Sequence, residues 1–159
     1  MDAPFTLLIA DRNRHVRDYL RREFVADGYT VKLAKDDREL LSLIKEDVQT
    51  DLVILDLEMP YCAGLDVLKQ LADREPRIPI VVHTLLNDQA SREATRMAAA
   101  FLEKRGNSID HLKATVGEIL KKWYPDRRTI PESAHHRAEE SGGNSHQHEY
   151  EQTGSAPRE

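Results

Sequence analysis

Short apolar runs alternate five times with helically spaced stripes along the first 125 residues, and that alternation leaves few folds open. "TLLIA" (6–10), "LVIL" (52–55) and "IPIVVH" (78–83) are continuous and strand-length, as strands buried on both faces read. "TVKLA" (30–34) alternates and reads as a strand half open to water, and "AAFLE" (99–103) is a short fifth. Between them, Val16, Leu20 and Phe24 recur every four residues, Leu40, Leu41 and Ile44 share a helical face, and Leu65, Leu68, Leu71 and Ala72 form a third stripe. "NDQASREATRMA" (87–98) is helical in composition but weakly amphipathic. A long last stripe carries Ile109, Leu112, Val116, Ile119, Leu120 and Trp123, with Ser108 placed to cap it. Gly28 marks the end of the first helix, and Pro76 and Pro79 close the third.

Repeated strand–helix units predict a parallel sheet covered on both faces, and right-handed crossovers restrict its topology. The expectation is a doubly wound α/β domain over residues 4–124. Residues 125–159 lose the periodicity, offer little to bury and read as a flexible polar tail with no DNA-reading helices.

Composition narrows the function. Hydrophobic residues are 40% and charged residues 32% of the chain, as in a soluble globular protein. A net charge of -5 gives no reason to expect nucleic-acid binding. No apolar run approaches the roughly 18 residues of a membrane span. The start, "MDAPFTLLIAD", lacks the basic region of a signal peptide, so a cytoplasmic location is expected. The single cysteine, Cys62, cannot form an internal disulfide.

In an open parallel sheet the ligand site lies beyond the carboxyl ends of the strands. Asp11 follows the first run, Asp56 the third, Thr84 the fourth and Lys104 the fifth. Two carboxylates, a hydroxyl and an amine on one rim suit phosphoryl transfer. A carboxylate can attack phosphorus and hold the group as an acyl phosphate, while Lys and Thr contact its oxygens. Mg²⁺ usually bridges carboxylates and phosphoryl oxygens in such sites.

On "LLIAD" (7–11), "LVILDLEMP…G" (52–64), "PIVVHT" (79–84) and "AFLEK" (100–104), the chain resembles the CheY-like receiver domains of two-component response regulators. The resemblance implies a flavodoxin-like sheet of order 2-1-3-4-5. It implies Asp56 as phosphoacceptor, Thr84 and Lys104 as phosphoryl contacts, and Phe101 as the aromatic switch. A histidine kinase or phosphotransfer protein would be the donor, with Mg²⁺ held by Asp11, Asp56 and the backbone carbonyl of Glu58. The expected function is that of a single-domain response regulator, not an enzyme in the usual sense. Its output would be an unknown downstream protein, and a homodimer through the fourth and fifth helices stays open.

Three positions depart from the family pattern. The second acid after the first strand is Arg12, a guanidinium where the family has a metal ligand. Arg12 is read as weakening Mg²⁺ binding and partly replacing the ion, either by pairing with Asp56 or by holding its phosphoryl group. Leu85 stands where relatives carry a small residue and is expected to cover Asp56. Lys104 is followed by Arg105 rather than Pro, so a cis peptide there is not assured. These departures support a rival reading, an atypical receiver that binds partners without phosphorylation. A flavodoxin-type small-molecule binder is disfavoured, because "ADRNRH" is charged and bulky where a phosphate loop would be small.

Other residues carry bland readings. His83 is read as structural, His15 has no assigned role, and Cys62 lacks the basic neighbours of a reactive thiol. His135, His136, His146 and His148 lie in the tail without fixed geometry. Arg17, Arg21 and Arg22 form a charged face on the first helix, which in receivers commonly docks the kinase.

Overall fold

The computed structural model describes residues 4–46, 49–59, 64–85, 89–106 and 108–127. Its elements are β1 (Thr6–Ala10), α1 (Arg14–Ala26), β2 (Thr30–Ala34), α2 (Asp37–Glu46), β3 (Leu52–Leu55), α3 (Gly64–Ala72), β4 (Ile80–Thr84), α4 (Gln89–Met97), β5 (Ala100–Glu103) and α5 (Ile109–Trp123). The five strands form one sheet in the order β2-β1-β3-β4-β5, every pair parallel. The strand number agrees with the apolar runs and the order with the family resemblance, while β4 is shifted to Ile80–Thr84 from the expected 78–83 and β5 begins one residue later than expected, at Ala100.

The unbroken runs are explained by two cores. Side chains alternate across a strand, so Leu7, Ile9, Leu52 and Ile54 face one layer with Leu20 and Phe24 of α1 and Leu112, Val116 and Leu120 of α5. Leu8, Ala10, Val53 and Leu55 face the other, with Leu40 and Ile44 of α2, Val67, Leu68 and Leu71 of α3, and Ala94 of α4. Truncating a fully buried residue such as Leu40 or Phe24 to Ala costs about 2–5 kcal/mol. β2 is an edge strand, which explains its alternation and half-exposed Lys32.

Local signals set the helix ends. Asn13 Oδ1 accepts hydrogen bonds from the amides of His15 and Val16 and starts α1. Ser108 Oγ accepts from the amide of His111 and starts α5, as expected. Gly28, at φ 94°, turns the chain from α1 into β2. Lys113 Nζ reaches Glu23 at 2.8 Å and Asp27 at 3.2 Å and fastens α5 to α1.

Arg127 lies beyond the boundary set by periodicity, yet it packs on the floor of the sheet. Its guanidinium pairs with Asp51 and lies 4.1 Å above the Phe5 ring. Asp51 Oδ2 also accepts from the amide of Thr6 at 2.8 Å, and Tyr124 Oη donates to the Asp51 carbonyl at 2.8 Å. An arginine can stack by its face and pair by its edge, which hydrophobic periodicity cannot register. The rest of the expected tail, with its four histidines, lies outside the described residues, as does Cys62. Among the described residues no helix is long and apolar enough to cross a membrane.

Candidate functional site

The carboxyl ends of β1, β3, β4 and β5 bring Asp11, Asp56, Thr84 and Lys104 together. Parallel pairing with Ala10 level with Leu55, and Thr84 with Glu103, brings the residues that follow these strands to one rim. Asp56 is 1% exposed, Asp11 2% and Thr84 0%. Burying carboxylates this deeply is costly unless each is paired.

The pairing is specific. Asp56 Oδ1 accepts from Thr84 Oγ1 at 3.2 Å and from the Glu58 amide at 3.1 Å. Among the described residues Asp56 Oδ2 makes no hydrogen bond, and Lys104 Nζ stands 3.4 Å from it. The same ammonium lies 2.6 Å from Asp11 Oδ2. Asp11 Oδ1 accepts from the Asn13 amide at 2.8 Å, and the Asp11 carbonyl accepts from Arg17 Nη1 at 2.7 Å. Burial pushes the Asp11 carboxyl above the usual carboxylate range. The Lys104 and Asn13 hydrogen bonds pull against that rise, and the Asp56 charge adds to it. His83, on β4 beside Thr84, is pushed down to about 4, chiefly by burial and then by the Lys104 charge, with Asp56 opposing. It is therefore neutral near pH 7, and its Nδ1 has no hydrogen-bond partner among the described residues.

Arg12 does not pair with Asp56, which was one of its two expected postures. Its Nη2 lies 2.9 Å from Glu58 Oε2, and the pair links the loop after β1 to the loop after β3. The Arg12 side chain is 53% exposed and that of Glu58 20%. The Glu58 side chain was missed from the sequence, where only its carbonyl drew notice. A charge two residues beyond Asp56 and opposite an unexpected arginine was the available signal.

The remaining expectations divide. Leu85 is 45% exposed, and among the described residues the polar partners of the Asp56 side chain are Thr84, Lys104 and the Glu58 amide. Phe101 is half-buried against the α2–α3–α4 core, paired across the sheet with Val82. Arg17 is spent on the Asp11 carbonyl, leaving Arg21 and Arg22 exposed on α1. His15 is exposed. Among the described residues the cis peptide bond lies at Glu75–Pro76, so Lys104–Arg105 is trans. Also among them, no group of three or more His, Cys, Asp or Glu is arranged to hold a metal ion.

A family model described as the response regulator receiver domain matches residues 7–116. The response regulator MprA of Mycolicibacterium vanbaalenii is 38% identical over 125 residues, covering 77% of this chain and 53% of MprA. The chain spans about half the length of the curated relatives it matches. A CheY-like receiver from Methanospirillum hungatei shares the fold at TM-score 0.71 and 21% identity, covering 78% of this chain and 99% of that one. TrrA of Thermotoga maritima, 28% identical, aligns at TM-score 0.65 over 73% of this chain and 98% of its own. TrrA has been solved with Mg²⁺-BeF and with the histidine kinase ThkA. With the sheet order, the two-layer core and the site at the carboxyl rim, these matches establish that the chain belongs to the receiver domain family of two-component response regulators.

Proposed function

We propose that this domain accepts a phosphoryl group on Asp56 from a phosphohistidine of a histidine kinase or phosphotransfer protein, and signals through protein–protein contacts. The observation that carries the reading is the asymmetry of the Asp56 carboxylate. Oδ1 is held by two donors, while Oδ2 has none and faces an ammonium. A fixed carboxylate with one free oxygen is a positioned nucleophile.

In the step proposed, a bond forms from Asp56 Oδ2 to phosphorus as the bond from phosphorus to the donor imidazole nitrogen breaks. That nitrogen keeps the electron pair, and the phosphoryl oxygens keep their charge. Lys104 offsets charge on those oxygens, and the Thr84 hydroxyl, now donating to Oδ1, would donate to one of them. Phe101 is placed to repack when Thr84 turns, since both lie along the β4–β5 pair. The TrrA–ThkA complex supports a kinase as donor. Mg²⁺ is taken up below, because Arg12 stands at one of its expected ligand positions.

Intact-protein mass spectrometry after incubation with acetyl phosphate tests this reading. One added phosphoryl mass is expected, absent from Asp56→Asn. No adduct in any buffer would point to a binding module that works without phosphorylation.

A further inference from the structure

The phosphoacceptor reading employs Asp56, Thr84 and Lys104 and leaves the Arg12–Glu58 pair without a task. The donor set shows what that pair displaces. A hard divalent cation takes about six oxygen ligands. Here a fixed cation, Arg12, replaces the second acid after β1 and stands against Glu58 Oε2, beside the two carboxylates that Lys104 already pairs. The guanidinium cannot shed its proton to make room. These residues do not fit a divalent cation.

We infer that Arg12 is the second phosphoryl-binding cation of this site, and that Glu58 parks it until Asp56 is charged. The inference rests on the phosphoacceptor reading. Arg12 follows Asp11 directly and Glu58 lies two residues after Asp56, so the pair spans the two loops that flank the nucleophile. The parked state is weakly held. The guanidinium is half in water, which screens its attraction to Glu58. Glu58 Oε2 approaches to 2.9 Å yet makes no aligned hydrogen bond, so the contact lacks the fork that makes arginine–oxyanion pairs strong.

A phosphoryl group on Asp56 changes the competition. It presents several charged oxygens in the geometry a guanidinium matches with two parallel N–H bonds. Arg12 then exchanges one carboxylate oxygen for that fork. Glu58, whose Oε2 is buried in the pair while its side chain is 20% exposed, then turns toward water. The site is thus charged without a divalent cation, and Glu58 sets how readily it charges.

The test measures phosphoryl uptake from acetyl phosphate by intact-protein mass spectrometry, with Mg²⁺ and with EDTA. It compares wild type, Asp56→Asn, Arg12→Asp and Glu58→Gln. Wild type is expected to charge to a similar extent in both buffers, and Glu58→Gln to charge faster than wild type in EDTA. Arg12→Asp is expected to lose uptake in EDTA by about tenfold or more and to regain it with Mg²⁺. Calorimetric titration with MgCl₂ should find binding to Arg12→Asp at least about tenfold tighter than to wild type. Thermal melts confirm that each variant is folded. Wild-type uptake that requires Mg²⁺, or equal uptake by wild type and Arg12→Asp in EDTA, overturns the parked-arginine inference and leaves Asp56 as the acceptor. No adduct in any protein or buffer overturns both.

Discussion

Lys104 lies closer to Asp11 than to Asp56, with its Nζ 2.6 Å from Asp11 Oδ2 and 3.4 Å from Asp56 Oδ2. One ammonium therefore stands between two buried carboxylates and is biased toward the one that is not the nucleophile. The bias leaves Asp56 Oδ2 the less committed of the two oxygens.

The same arrangement makes Asp11 costly to the fold. Burial raises its pKa above the ordinary value of 3.8, with Asp56 adding to the rise. A carboxyl whose folded pKa is raised holds its proton longer folded than unfolded. Stability then falls as pH rises through that window and stays lower at neutral pH. Asp11→Asn should therefore raise Tm at pH 7 and leave it unchanged near pH 3, where the wild-type carboxyl is protonated in both states. Calorimetric melts at the two pH values check this.

His83 gives the opposite slope. Its folded pKa of about 4 lies below the ordinary histidine value of 6.5, so the unfolded chain binds the extra proton between those values. Stability contributed by the neutral ring is full above 6.5 and drains away toward pH 4, by roughly 3 kcal/mol in all. His83→Gln should flatten that part of the profile. Urea unfolding of both proteins at pH 7, 5.5 and 4.5 provides the comparison, and parallel profiles would sink the claim.

Thr84→Val removes one of two donors to Asp56 Oδ1 and leaves the Glu58 amide alone. A buried charged acceptor that loses a donor costs about 1–3 kcal/mol. Thr84→Ser keeps the hydroxyl and should recover much of the loss. Urea midpoints of the three proteins measure the split.

Arg127→Ala should destabilise the domain by about 1–2 kcal/mol, by removing both the ring stacking and the Asp51 pair. Arg127→Lys should recover little, since an ammonium has neither the flat face nor the fork. Guanidinium chloride unfolding at fixed ionic strength separates the two variants from wild type.

The sheet was legible because strands buried on both faces must be apolar throughout, and Leu7–Ala10, Leu52–Leu55 and Ile80–Val82 have that composition. Asp11, Asp56, Thr84 and Lys104 were legible for a related reason. A polar group ending such a strand can only lie at its carboxyl rim. Loop side chains obey no comparable rule. Arg12 turns to Glu58 rather than Asp56 because the backbone path after β1, held by Asn13 and Arg17, decides its reach. Arg17 looked like part of an open charged face because periodicity reports a side chain's direction on the helix and not how far it extends. Arg127 escaped notice because its burial is aromatic and ionic together, which no hydrophobic stripe reveals.

β3 carries an acid at each end: Asp51 enters it from below and Asp56 leaves it above. Between them lies a rod of four residues, about 13 Å long at roughly 3.3 Å per residue. Arg127 clamps the lower acid, so chain continuing past residue 127 is mechanically fastened to the strand that holds the upper one. A load on that continuing chain is borne first by β3 and by the Phe5–Thr6 start of β1. Arg127 and the acid at the rim thus hold the two ends of a single stiff member.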